Sequence, residues 1–538
     1  MPCFGQSRLI LKTVGFALVL RARLIAILFA LAVVPAAAQA STPAHSYFTP
    51  LPAEMAVGRT GAVAAPLADG RVLIAGGADG VTVRSAEIFD PASGTFSLLP
   101  NLMRLKRSGA AAAPLPGGRV LIAGGYNDVP YTTAETFDPI TGVFSEVQGE
   151  MTTPRLNGFA VPLPDGDVLV GGGFYEGETL DTAEIFDPTS GEFTALAQPM
   201  ARPRSSPIAV PRADGKVLIF GGYGKKDLLP SVELFDAATE TFSIVNSEVG
   251  EERGDAVGAA LPSGQVLVAG GIDGSNMSVR KAGLLDPSSG AYSPLPASGD
   301  TQLTTTRTWS VASPLLDGTV LIAGGGWDGS HETAELFVPA PALGAEGGAF
   351  GSVALGTAAT RTVTVGNLGA QPLQIDAVSI GGTDAAAFSL GADGCSGRLL
   401  EFRETCALTV SFSPRDVGDA RAILAFEDNE PTPTAAPLSG TAAPLRQAAE
   451  GSAPRAMDSA PDFRRAFTLP CRSHAKGTAG WRRVVCRLKP VEGQWLALLR
   501  RGKQTVAQRH LAPGARRLVF SVRGLPRSTY RLRLIPQS

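Results

Sequence analysis

Val72-Leu73-Ile74-Ala75-Gly76-Gly77 is one of six near-copies of a single phrase. It returns at 120–125, 168–173, 217–222, 266–271 and 320–325, with starts 48, 48, 49, 49 and 54 residues apart. A period of about 50 residues marks a repeat architecture, in which each unit buries its apolar surface against its neighbours. A two-residue turn precedes each copy: Asp69-Gly70, Gly117-Gly118, Asp165-Gly166, Asp214-Gly215, Ser263-Gly264 and Asp317-Gly318. Such pairs accept positive φ and close tight hairpins. After each Gly-Gly comes a variable loop and a further strand, as in Ala86-Glu87-Ile88-Phe89-Asp90-Pro91. An aromatic stands six residues after the Asp: Phe96, Phe144, Phe193, Phe242 and Tyr292. Four short antiparallel strands per repeat make one propeller blade, so the expected fold is all-β with six blades.

These features resemble the kelch repeat, with Gly-Gly closing the second strand, a charged residue and Asp-Pro on the third, and an aromatic on the fourth. Phe or Tyr stands where many kelch repeats have Trp. The resemblance covers about residues 41–339, and it implies a fold far more than a function.

The sixth repeat has Phe337-Val338-Pro339 but no aromatic six residues on. Its missing strand is expected before the first repeat, where Tyr47-Phe48-Thr49-Pro50-Leu51-Pro52 and Met55 match Phe96-Ser97-Leu98-Leu99-Pro100 and Met103. An N-terminal strand that completes the last blade ties the ring shut and leaves few open sheet edges.

At 538 residues and net charge −2, the chain has room for several domains. Residues 1–40 read as a secretory signal: Arg21 and Arg23 precede an apolar run over 24–34, and Ala38-Gln39-Ala40 offers small residues for cleavage. The rival reading is an uncleaved anchor that also uses 9–20, a stretch interrupted by Lys12, Arg21 and Arg23. Secretion or cell-surface display is therefore the expected location. Outside the leader there are four cysteines, Cys395, Cys406, Cys471 and Cys486. An even number in an exported chain suggests disulfides, and local pairing, 395 with 406 and 471 with 486, keeps each bridge inside one domain. No His or Cys pair has zinc-like spacing, so no metal is expected.

Past Pro339 the repeat stops. Alternating runs such as Leu408-Thr409-Val410-Ser411-Phe412 predict a β-sandwich over 341–445. Phe350-Gly351-Ser352-Val353, Gly366-Asn367-Leu368-Gly369, Phe412-Ser413-Pro414 and Leu438-Ser439-Gly440-Thr441 resemble the Ig-like domains of the Hydin and bacterial choice-of-anchor type. That resemblance implies a spacer or attachment module. A linker is expected over 446–465 and a small basic β module over 466–538. Residues 450–538 carry a balance of +15 and residues 1–449 one of −17. Such asymmetry suggests an anionic surface polymer as partner, with an Arg-rich solvated face as the equal alternative; nucleic acid is not expected.

Arg59, Arg107, Arg155, Arg204, Arg253 and Arg307 each stand 13 residues before the Val that opens the second strand. The phase places them at or just before the innermost strand, beside the loops that follow Gly-Gly. In kelch domains that read acidic ligands, arginines at this repeat position line the pocket, so the resemblance implies these six as ligand contacts. Arg grips carboxylates bidentately, which points to an acidic glycan or peptide. The competing assignment is structural. Glu87, Glu135, Glu184, Glu233 and Glu335 stand on the third strands, and an Arg–Glu pair in each blade would serve packing. Blade five breaks the pattern with Gly283.

The variable loops add Tyr126, Phe174, Tyr175, Tyr223 and Trp327, with Trp309 nearby, and aromatic faces of this kind suit sugars or peptides. Tyr126, Tyr175, Tyr223 and Trp327 complete the expected ligand contacts. Four scattered histidines give neither a triad nor a metal site. Among proteins that resemble kelch propellers, the copper radical oxidases need a cysteine-modified tyrosine and histidine ligands, and the propeller has no Cys, so that class is not expected. No catalytic residue and no cofactor are expected. The working expectation is an exported binding protein; the alternatives are a sugar mutarotase or epimerase and an adhesion scaffold.

Overall fold

The computed structural model describes residues 44–246, 252–297, 299–327, 329–432 and 434–444, and the backbone of six strands between 467 and 536. The expected leader and linker lie outside the described residues.

Six antiparallel sheets follow one another around a central channel. In the first, Thr60–Pro66, Val72–Asp79, Ala86–Asp90 and Thr95–Leu98 run from the channel outward. In the sixth, Val311–Pro314, Val320–Ala323 and Ala334–Val338 supply three strands, and Tyr47–Pro50 supplies the fourth. Phe48 lies opposite Phe337, with ring centroids 5.0 Å apart. The same pair recurs within blades one to four at 4.8–4.9 Å, as Phe89–Phe96, Phe137–Phe144, Phe186–Phe193 and Phe235–Phe242.

The four-residue run from Val72, Val120, Val168, Val217, Val266 and Val320 in each second strand is apolar and fully buried because both of its faces are covered. Leu73 and Ala75 pack with Val120 and Ile122 of the next blade, while Val72 and Ile74 pack with Leu321 and Ala323 of the last. Burying each such Leu or Ile contributes roughly 1.5–3 kcal/mol. The Gly-Gly that ends the strand has a different task. The second glycine donates its N–H to the carbonyl of the next blade's arginine: Gly77 to Arg107, Gly125 to Arg155, Gly173 to Arg204, Gly222 to Arg253, Gly271 to Arg307, and Gly325 to Arg59 across the ring closure, all at 2.7–2.8 Å. Both Gly76 and Gly77 have positive φ, and a Cβ on Gly76 would run into the Arg107 carbonyl. Glycine is needed here for conformation and for approach.

The channel has a cavity volume of about 190 Å³ and is walled by the inner strands, mainly through Ala62, Ala64, Ala110, Ala112, Ala160 and Ala209.

The second domain is a sandwich of two sheets. One orders Leu343–Glu346, Ala359–Asn367, Thr405–Phe412 and Phe388–Asp393; the other orders Ala349–Ala354, Ala435–Ala443, Gly418–Asp428, Leu373–Gly381 and Arg398–Leu400. Alternate residues Leu408, Val410 and Phe412 meet Leu373, Ile375, Leu424 and Leu438 in the core. Cys395 and Cys406 have the geometry of a disulfide, with Sγ atoms 2.01 Å apart.

The sandwich docks on the side of the propeller that carries the hairpin turns. Gly318, in the turn of blade six, lies under the Phe402 ring. The closing strand is held as well: Gln371 donates to the His45 carbonyl at 2.8 Å, and Ala44 N–H donates to the Asn429 carbonyl at 2.9 Å. Gly299–Thr301, where the repeat lengthens, forms a short 3₁₀ turn with Asp300 3.2 Å from His45.

Farther along, Gln504–Leu511, Trp495–Arg501, Tyr530–Pro536, Phe467–Ala475, Trp481–Arg487 and Arg517–Arg523 form one six-stranded sheet, in that order. Cys471 and Cys486 stand one residue beyond the Arg472–Val485 pair, and their side chains lie outside the described ones.

Candidate functional site

The six arginines do not rim an open funnel. Each is 0–2% exposed, as are the glutamates opposite them. In blade one, Arg59 Nη2 lies 2.9 Å from Glu87 Oε1, and Arg59 Nη1 donates to the Gly76 and Ser85 carbonyls at 2.7 and 2.9 Å. Glu87 Oε2 accepts the Ala56 N–H at 2.7 Å. The same network recurs as Arg107–Glu135, Arg155–Glu184, Arg204–Glu233 and Arg307–Glu335, with closest approaches of 2.6–3.1 Å. Burial pulls the pKa of Arg59, Arg155 and Arg204 down, and the glutamates push it back up. The within-blade pairing is thus what these side chains do. They fasten the end of the second strand to the third and leave no exposed guanidinium for a ligand.

Blade five solves the same problem differently. A Cβ on Gly283 would enter the Tyr292 ring, so the tyrosine fills the volume that Glu and Phe share elsewhere. Arg253 is buried there too, and its Nη1 donates to the Gly270 carbonyl at 3.3 Å.

Two residues after each arginine the backbone turns left-handed. The positions are Gly61, Gly109, Asn157, Ser206, Asp255 and Trp309, with φ between 50° and 63°. Each stands at or just before the start of an inner strand, so together they encircle the channel mouth on the face that carries the variable loops. Backbone bonds link them: Asn157 N–H to Gly109, Ser206 N–H to Asn157, Trp309 N–H to Asp255, and Gly61 N–H to Trp309. Glycine adopts this conformation freely; a bulky side chain such as Trp309 adopts it only under constraint from its surroundings. Four consecutive blades therefore aim real side chains at a position that blades one and two leave bare.

Asp255 is the chemical centre of that arc. It is 4% exposed. Its Oδ2 accepts the Tyr223 hydroxyl at 2.6 Å, and its Oδ1 has no hydrogen-bond partner. Burial raises its pKa, and the neighbouring Tyr223, Ser206 and Trp309 hold that rise back without closing an ordinary hydrogen bond to Oδ1. Burial beside this carboxylate also pushes the Tyr223 hydroxyl up. Trp309 stacks on Trp327 with centroids 6.4 Å apart and planes 5° apart, and the two are 37% and 51% exposed.

The other expected aromatics occupy the same face. Tyr126 and Phe174 are exposed and Tyr175 is half-buried. Tyr223 is committed to Asp255. Sequence reasoning missed Asn157, Ser206 and Asp255 as a set. The available signal was the glycine two residues after Arg59 and Arg107, which marks a positive-φ position that later blades fill with other residues.

Two family models match the chain. The kelch motif matches residues 59–103, and the Abnormal spindle-like microcephaly-associated, ASPM-SPD-2-Hydin domain matches 337–434. No curated protein matches it. Domains of both kinds are in general protein-interaction modules.

Proposed function

We propose that this chain, a six-bladed kelch-repeat propeller followed by a Hydin-like Ig-like domain, is an exported binding protein that takes a protein ligand on the loop face of its propeller. The observation that carries this reading is the channel mouth, where a half-exposed Trp309–Trp327 stack stands on the face that also exposes Tyr126 and Phe174. Large aromatics beside a few aimed polar groups are the usual anatomy of a recognition site. The sandwich contacts the opposite side, which leaves the loop face clear of the sandwich.

An acidic glycan or peptide fits this surface poorly. The guanidinium groups that would meet its carboxylates meet glutamates instead. A mutarotase reading finds little support, since small apolar side chains wall the channel. Export rests on the leader's Arg21, Arg23 and Ala38-Gln39-Ala40 and on the Cys395–Cys406 geometry. In this reading the basic C-terminal module holds the protein to an anionic surface polymer.

The test is a photoreactive amino acid placed at Trp327 or Tyr126 on the loop face, and at Ile140 in a turn on the other side. In the cells that make the protein, one discrete protein adduct is expected from the first two positions and none from Ile140. Equal yields from all three would reject the loop face as the binding surface.

A further inference from the structure

The left-handed position two residues after the arginine is filled in two ways. Blades one and two place Gly61 and Gly109 there, each with φ of 63°. Blades four, five and six place Ser206, Asp255 and Trp309 there, with φ of 51°, 50° and 50°. Glycine takes this backbone freely, while other residues take it at a cost that grows with bulk. The first two blades show that the belt closes with no side chain at this position. Closure alone therefore does not account for the residues of the last three, and backbone strain of this kind gathers at functional sites.

Asp255 joins its neighbours on both sides. Its Oδ2 accepts the Tyr223 hydroxyl at 2.6 Å. Tyr223 belongs to the blade-four loop, where it pairs with Ser205, and its ring lies over Gly254, too close for a Cβ there. Side-chain donors of Ser206 and Trp309 bear on the same carboxylate. On the backbone, Trp309 N–H donates to the Asp255 carbonyl at 3.2 Å. Blades four, five and six thus meet on one side chain that is itself 4% exposed. Trp309 in turn lies parallel to Trp327, and both rings are partly open to solvent. Glu87 and its counterparts answer an arginine of their own blade. Asp255 answers a phenol and an indole from the blades beside it.

An indole at a surface samples several rotamers, and freezing it at the moment of binding costs entropy. A contact to a buried, immobile carboxylate removes that freedom beforehand. We propose that Asp255 is a positioning residue of the loop face, which holds Trp309 against Trp327 and fixes Tyr223 on its other side, in the arrangement that a protein ligand meets. The inference rests on the reading of the loop face as a binding surface. It makes Asp255 a residue that lowers stability in exchange for a ready-made site.

The test uses the full chain, and its first readout needs no partner. Parallel indoles couple their electronic transitions, so the far-ultraviolet exciton couplet of Trp309 and Trp327 reports their mutual orientation. Trp327→Phe fixes the signal that remains without the pair. Asp255→Gly supplies the residue that blades one and two carry, and Asp255→Ser the residue that blade four carries, so neither is foreign to the belt. Both variants should melt no lower than the parent and lose most of the couplet. Both should bind the partner crosslinked through position 327 about tenfold more weakly. An unchanged couplet in both variants would overturn the proposal, as would unchanged affinity once the couplet is lost. A melting temperature that falls together with the couplet would make the carboxylate a packing residue and overturn it too. Failure to capture any partner on the loop face would sink the binding-surface reading alone, because couplet and melting still decide whether Asp255 positions the tryptophans.

Discussion

Arg107 and Asp255 show how differently two charged residues at the same end of a blade can be used. The arginine has every reason to be internal: a carboxylate at 2.7 Å, two carbonyls, and a threonine hydroxyl. The aspartate has one tyrosine hydroxyl and an idle oxygen. Its raised pKa has a direct consequence for stability. A carboxyl whose folded pKa lies above its unfolded one stabilises the fold below the unfolded value, and that contribution is lost as pH rises through the folded value. Asp255→Asn, which keeps an acceptor for Tyr223, should therefore raise the melting temperature at pH 7, by on the order of 1 kcal/mol in stability, and give little gain near pH 3.5. Melting curves at the two pH values decide it. At this scale the sequence was partly legible. A ring of arginines is equally compatible with a ligand rim and with internal staples, because spacing says where a side chain starts and nothing of where it points. The glutamate at a matching phase was the clue to the second. Asp255 had no such regularity, since it replaces a glycine in only one blade.

Among the elements, blade five is the informative exception. Gly283 and Tyr292 are a matched pair that replaces Glu and Phe, since the tyrosine ring occupies the space above the glycine. Gly283→Glu alone should overpack this site and lower stability by about 1–3 kcal/mol. Adding Tyr292→Phe, which rebuilds the arrangement of the other blades, should recover much of that loss. Urea denaturation of the single and double variants measures the coupling. The blade itself was easy to read, because a strand covered on both faces must be apolar throughout, and the Gly-Gly must recur wherever two blades approach. The closing strand carried a readable signal too, in the match of Tyr47-Phe48-Thr49-Pro50 to the fourth strand of blade one. The disposition of the sandwich was not readable. It depends on single contacts such as Gln371 to His45 and Phe402 over Gly318, which belong to no repeat.

At the scale of the whole molecule, the propeller has two faces with different work. The turn face takes the sandwich, and the loop face carries the tryptophan stack, the left-handed belt and Asp255. The central claim is that recognition belongs to the loop face and that the arginine ring belongs to the scaffold. The most direct test uses the partner captured by the photoreactive residue and compares its affinity for two variants. Trp327→Ala changes a half-exposed ring. Arg107→Met combined with Glu135→Leu replaces a buried ion pair with apolar side chains; because it also strands the Gly124 and Thr133 carbonyls, its melting curve is measured beside its affinity to show that it is folded. Trp327→Ala should weaken binding about tenfold or more, as truncating an aromatic anchor does, while the paired replacement leaves affinity unchanged. Unchanged affinity in Trp327→Ala together with loss in the Arg107–Glu135 replacement would contradict the account and return the arginines to the ligand.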